Sequence, residues 1–196
     1  MKVELEKTFP LPGSADVAWE FLQDVEAVAG CMPGAKITES LPGGGFKGTV
    51  TVRVGPATMS FRGEVEVRDI DAAAHSLRLL GTGTDTTGTS GASMDLTARI
   101  EPASDGSSNL VGKSEVSMSG KAASFGGRMM GGVADQVLKQ FAENFATRVA
   151  ALASQRAGGA TSGPSPAPPE RELNGLAIVW AAFVEWLRGL FRKKTA

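Results

Sequence analysis

The side chains that do most chemistry in proteins are scarce in this chain. Its 196 residues hold one histidine, His75, one cysteine, Cys31, and no tyrosine. Nucleophilic catalysis needs a base beside its nucleophile, and a zinc site needs several His or Cys ligands. No second His and no Cys pair exists to build one. His75 falls in Asp69-Ile-Asp-Ala-Ala-Ala-His-Ser-Leu77, which reads as a solvated turn. Cys31 has no activating neighbour in sequence and reads as a small buried apolar residue, with redox sensing the lesser alternative. The string Gly81-Thr-Gly-Thr-Asp-Thr-Thr-Gly88 has the glycines of a phosphate loop but lacks its lysine and opens no helix, so it reads as a Gly/Thr-rich strand. Asp85 within it is the carboxylate to examine for burial. Proton transfer by Asp85 or Asp95, or a cavity-templated cyclisation, is the enzymatic alternative that remains, and finding Asp85, Asp95 and Arg99 all solvated would remove it.

Apolar lining is more abundant than catalytic equipment. Met59, Met94 and Met118 fall on the inward face of alternating segments, Met32 at a turn, and Met129 and Met130 at the start of a long helix. An unbranched, polarizable side chain fills irregular space and adapts to a guest. With Phe46, Val52, Phe61, Leu79, Leu96, Phe125, Val133, Val137 and Phe141, these residues are the expected lining of a soft cavity for a long apolar molecule. Ordinary core packing is the competing reading for any single methionine.

The elements that must position these residues follow from periodicity. Val3, Leu5, Lys7 and Phe9 alternate with polar residues, an opening strand that ends at Pro10 and Pro12. Ser14 offers an N-cap, and Val17, Ala18, Phe21, Leu22 and Val25 form the inner face of one or two short helices running to Gly30. From Ala35 to Lys121 the period is two, broken by turn signals at Pro42–Gly45, Gly55-Pro56, Asp71–Ala74, Gly88–Gly91 and Asp105-Gly106. That pattern predicts an antiparallel meander of about six strands with one buried and one wet face. A long helix follows, capped near Ser124 and running to about Gln155, with Met129, Val133, Val137, Phe141, Phe145, Val149 and Leu152 on one face. Asp135 and Lys139 are spaced as an i,i+4 pair on the other. The fold class is therefore α+β, a curved antiparallel sheet wrapped round a long C-terminal helix. Four glycines at the helix start, Gly126, Gly127, Gly131 and Gly132, invite three explanations: close approach of a partner or ligand, a hinge that opens a portal, or tight packing on a neighbouring strand.

The chain organises as a domain over 1–155, a Gly/Pro/Ser-rich linker over 156–172 and an amphipathic helix over 173–196. In that last segment Leu176, Trp180, Phe183, Val184, Leu187, Leu190 and Phe191 share a broad apolar face. Trp186, Arg192 and Lys193 suit a membrane interface, with the aromatic rings near the headgroups and the cations on anionic lipid. Spanning is the alternative: the 19 residues Leu173–Phe191 would reach roughly 28 Å as a helix against a bilayer core of about 30 Å. Glu185 and Arg188 would then sit in hydrocarbon. Docking into a protein groove or onto its own domain is the third reading. The N-terminal Met1-Lys-Val-Glu-Leu-Glu-Lys-Thr-Phe9 lacks a signal-peptide apolar core, and the lone cysteine agrees with a reducing compartment. The expected location is cytoplasmic, held peripherally on the inner face of the cell membrane by the C-terminal helix. A net charge of −1 and the absence of a basic, aromatic-interleaved stripe exclude a nucleic-acid partner.

Val28-Ala-Gly-Cys-Met-Pro-Gly34, Phe46-Lys-Gly-Thr-Val-Thr-Val-Arg-Val-Gly-Pro56, Phe61-Arg-Gly-Glu-Val65, Gly81–Gly88 and Val116-Ser-Met-Ser-Gly-Lys-Ala-Ala-Ser-Phe-Gly126 are five separate stretches. Together they resemble the G-subunit family of carbon monoxide dehydrogenase, within the START-like, helix-grip superfamily. The resemblance implies a non-catalytic accessory to a molybdenum-containing CO dehydrogenase or related hydroxylase. It also implies membrane recruitment and an isoprenoid quinone as the lipophilic cargo, with no covalent or metal cofactor. Phe125, Gly126, Gly127 and Arg128 are the expected contact with the partner enzyme. A cavity enzyme of the polyketide cyclase or hydrolase kind, and a pure membrane adaptor without a ligand, are the rival classes.

Overall fold

A computed structural model describes residues 1–159. The rest of the linker and the amphipathic helix expected over 173–196 lie outside the described residues. The chain runs β1 (Lys2–Leu11), α1 (Ala15–Gln23), α2 (Val25–Ala29), β2 (Ala35–Leu41), β3 (Gly45–Val54), β4 (Ala57–Asp71), β5 (Ser76–Asp85), β6 (Ser90–Pro102), β7 (Ser108–Gly120), a 3-10 turn (Lys121–Phe125) and α3 (Gly127–Gly159). The seven strands form one antiparallel sheet in the order β1-β7-β6-β5-β4-β3-β2. β2 to β7 therefore pair as a meander, and the first strand closes beside the last.

Alternation decides which face is buried, because successive side chains of a strand point to opposite sides. The inward rows can be followed across the register. Leu5 lies opposite Ser114, Ser114 opposite Leu96, Leu96 opposite Leu79 and Leu79 opposite Val67. The row beyond runs Val3, Val116, Met94, Gly81, Val65 and Phe46. At the far end of the inner face, Gly48, Gly63 and Gly83 sit side by side on β3, β4 and β5. A Cβ at Gly63 would come within 2.0 Å of the Thr82 carbonyl oxygen, so the sheet bends there in a way that admits no side chain.

One end of the interior is filled. Leu11, Trp19, Phe21, Leu22, Leu77, Ile100 and Leu110 close on Phe145 and Val149 of α3. Phe21 meets Phe145 edge-on at 4.8 Å between ring centres, a favourable aromatic geometry. The Asn144 side-chain amide donates to the Cys31 carbonyl at 2.9 Å, tying this part of α3 to the turn after α2.

The helix differs from its expected form at both ends. It starts at Gly127 rather than at Ser124, whose hydroxyl instead donates to the Lys121 carbonyl at 2.6 Å within the 3-10 turn. It continues past Gln155 to Gly159, where the helix-favouring run Ala150–Ala153 is extended by an ion pair between Arg156 and Glu20 of α1. Asp135 is engaged by Lys7 of β1 at 2.8 Å, not by Lys139, because the sheet brings a nearer cation.

Candidate functional site

The apolar stripe of α3 is buried unevenly along its length. Phe145 and Val149 are fully buried, Val133, Val137 and Phe141 are half-buried, and Met129 is 47% exposed. The N-terminal half of this helical face is therefore covered less than the C-terminal half. No residue of α3 before Phe145 is buried. Facing that half of the helix, Phe46, Val52, Met59, Phe61, Met94, Leu96 and Met118 all have inward parity and are all half-buried. Half-buried apolar side chains thus occupy both the inner face of the sheet and the first four turns or so of α3, which makes the space between them the candidate groove.

Most of the expected lining residues therefore share one face, and the exceptions have clear causes. Leu79 and Phe141 pack against the filled core and form the floor of the groove. Met129 faces solvent, on the less covered half of the helix. Met32 is half-buried in the turn between α2 and β2, where its amide donates to the Ala29 carbonyl. The expected contact residues Phe125, Gly126, Gly127 and Arg128 sit at the junction of the 3-10 turn and α3. Gly126, Gly127, Gly131 and Gly132 have nothing within 4 Å of an added Cβ, so tight packing on a strand is not the reason for this glycine run.

The start of α3 is anchored from below by a polar network. The Asp85 carboxylate accepts from the Thr87 hydroxyl, from the Thr89 hydroxyl at 3.3 Å and from the Ser90 amide at 2.7 Å. The Ser90 hydroxyl in turn accepts the Ala122 amide at 3.0 Å. These bonds carry the β5–β6 turn into the 3-10 turn and fix where the helix begins. The Thr87 hydroxyl, with the Ser90, Thr89 and Thr87 amides, holds the Asp85 carboxyl below its ordinary range, against the opposing pull of desolvation. Asp85 is 8% exposed and its oxygens are already engaged by the turn it organises.

The other candidate reacting groups face outward. Arg78 donates to Asp95 through Nε at 2.8 Å and Nη2 at 2.6 Å, and this fork holds the Asp95 carboxyl down. Arg99 pairs with Glu101 at 2.6 Å on the same outer face. His75 departs from the solvated turn expected of it. Its ring stacks on Trp19 at 5.6 Å and 17°, and its Nε2 lies 3.9 Å from the Asp16 carboxylate, because the β4–β5 turn folds over α1. Cys31 is 1% exposed, its thiol donates to the Ala27 carbonyl at 3.6 Å, and burial pushes its pKa up despite nearby Arg148. Among the described residues no three His, Cys, Asp or Glu converge as a metal site requires, and no helix is long and apolar enough to cross a membrane.

A second concavity, of about 530 Å3, lies behind the glycine row on the outer face of the sheet. Its side chains are outward ones, among them Arg62, Glu64, Thr82, Thr84, Ser93 and Ser117, and of the expected cavity residues only Met118 borders it. Sequence reasoning missed it because each of these residues alone is an ordinary solvated strand position. Trp19 and Asn144 were also missed. Trp19 lies next to the apolar spacing of α1, and Asn144 is a polar residue beside the helix stripe whose partner is distant in sequence.

The family profile of the carbon monoxide dehydrogenase G subunit (CoxG) matches residues 8–150. The chain belongs to the CoxG family. The match spans both sides of the groove, from the later part of β1 to the last buried turn of α3. No curated protein shows a significant sequence match. Solved structures place the family's fold: a conserved protein from Geobacillus kaustophilus superposes with a TM-score of 0.68 at 22% identity, over 76% of this chain and 95% of that one. The Zhui aromatase/cyclase from Streptomyces gives 0.57 at 17% identity, over 83% and 100%. A START superfamily protein from Mycobacterium smegmatis gives 0.54 at 18% identity, over 76% and 98%. At these identities the likeness establishes a START-like, helix-grip fold.

Proposed function

We propose that this CoxG family member is a non-catalytic accessory of a molybdenum CO dehydrogenase-type enzyme. It takes a lipophilic, quinone-like guest into the groove beneath the N-terminal half of α3. The observation that carries this reading is the graded burial of one helical face, from a fully buried Phe145 to an exposed Met129, over an inner sheet face that is apolar and only half covered. A guest laid along that face would replace water on Met59, Phe61, Met94 and Met118, a gain of about 25 cal/mol per Å2 of apolar surface. Leaving a bilayer loses a similar amount, so exchange between the two is close to balanced. That energetics suits a carrier better than a store.

The amphipathic segment 173–196 would rest the protein on the inner leaflet, and as a flexible coil the sequence Ala157–Pro169 would span roughly 20 Å. The glycine-rich junction at Phe125–Arg128, with open space around it, is the surface offered to the enzyme.

A cyclase-like activity is the second reading, favoured by the likeness to an aromatase/cyclase. Weighing against it, Asp95 and Arg99 point away from the groove and Asp85 is engaged by its own turn. The experiment is quinone transfer. Vesicles loaded with an isoprenoid quinone are incubated with the full chain, separated by flotation and assayed for quinone in the protein fraction. Transfer that is lost in Met94→Glu supports the carrier, and an unloaded protein fraction overturns it.

A further inference from the structure

The inner face of the sheet carries a cation among apolar neighbours. Val3, Leu5, Lys7 and Phe9 share the inward parity of β1, opposite Val116, Ser114, Gly112 and Leu110. Along the registered inward positions of the seven strands, the charged residues are Lys7 and Asp85. Asp85 is fully occupied by its turn, as described above. Lys7 is different in kind. Its stem lies on the inner face while its ammonium reaches out to the Asp135 carboxylate of α3 at 2.8 Å.

Its place at the β1 edge of the inner face is specific. On one side the next inward row holds Phe9 beside buried Leu110 and Ile100, the filled core. On the other side the next row holds Leu5, Ser114 and half-buried Leu96, the open groove. Lys7 therefore stands where packed interior gives way to accessible interior. The ion pair is well exposed, at 41% and 61%, so it contributes little to stability and can share its donors. An ammonium has three N–H groups, and the contact with Asp135 uses one of them.

We propose that Lys7 is the specificity-determining residue of the groove, selecting a long apolar guest whose head is a neutral carbonyl. The proposal rests on the groove being the ligand site. A carbonyl oxygen can accept a spare N–H of Lys7 while the pair with Asp135 stays intact. An ionised acid would have to displace Asp135 or lie beside it, with like charges in contact. A headless chain would gain nothing from Lys7.

The test measures displacement of a fluorescent long-chain dye from the full protein by three matched probes: a long-chain methyl ketone, its alkane and its carboxylate. On wild-type protein the ketone should compete about tenfold better than the alkane, the value of one hydrogen bond to a charged donor, and better than the carboxylate. Lys7→Met should bring the ketone down to the alkane and leave the alkane unchanged. Lys7→Arg should retain the ketone preference, which separates lost recognition from lost folding. Asp135→Asn should raise the carboxylate about tenfold, because the repelling charge is gone. A ketone preference that survives in Lys7→Met overturns the proposal. So does equal binding of ketone and alkane to the wild type when Met94→Glu weakens both, a result in which the groove stands and Lys7 falls. If none of the probes displaces the dye, the groove itself is refuted and Lys7 with it.

Discussion

The side-chain amide of Asn144 and the carbonyl of Cys31, 113 residues apart in sequence, form a 2.9 Å hydrogen bond that marks where α3 is held and where it is let go. C-terminal to this bond the helix is clamped by Phe145, Val149 and the Arg156–Glu20 pair. N-terminal to it, no residue of the helix is buried and the apolar face is only half covered. The groove is thus made by fastening one end of an amphipathic helix and leaving the other less covered.

Removing the clamp should destabilise the fold strongly. Phe145→Ala empties a fully buried aromatic site and should lower stability by about 3–5 kcal/mol. Asn144→Ala, which strips one hydrogen bond, should cost about 1 kcal/mol. Urea unfolding followed by circular dichroism checks both, and a Phe145→Ala loss no larger than that of Asn144→Ala would contradict the assignment of the core.

Glycines on the two sides of the 3-10 turn should behave in opposite ways. Gly120 has φ 67°, and a Cβ there would lie 1.9 Å from the Thr89 carbonyl oxygen, so Gly120→Ala should destabilise. Gly131 and Gly132 lie inside α3 with open space around them, so Gly131→Ala should stabilise by about 1 kcal/mol. If the run serves access to the groove, the stabilised Gly131→Ala and Gly132→Ala proteins should load quinone more slowly in stopped-flow measurements. Unchanged loading would remove the hinge from consideration.

Acid should act through Asp85. Its folded pKa lies below the unfolded one, so its stabilising contribution is present above the unfolded value of about 4 and is lost as pH falls through the folded value. Thermal melts of wild type and Asp85→Asn should be well separated near neutrality and converge below about pH 4. A gap that stays constant down to strong acid would mean that the Asp85 carboxylate does not hold the turn in its ionised form.

Cys31 should be silent in the native state. It is buried and its thiol is pushed up from its ordinary range, both of which suppress thiolate. A disulfide reagent should react at a rate set by unfolding, and fast reaction of the folded protein would revive a redox role.

Much of this was legible in the chain. Period-two alternation from Ala35 to Lys121, cut by Gly- and Asp-containing turns, gives the meander and the parity of the strand residues expected in the groove. What alternation cannot convey is distance between layers. The stripe from Met129 to Leu152 looks uniform in sequence, yet of its residues the fold fully buries only Phe145 and Val149. Lys7 was visible as a charged residue in an apolar register, but its partner Asp135 lies far along the chain and is set only by docking of the helix. The stacking of His75 on Trp19 has the same origin: a turn and a helix brought together by the sheet's curvature.

The groove is tested most directly by native mass spectrometry of the full chain purified under mild conditions, beside Met94→Glu. The expected result is an isoprenoid quinone bound one to one in the wild type and absent from the variant. A wild-type protein that carries no lipophilic molecule, even after incubation with quinone-loaded vesicles, contradicts it.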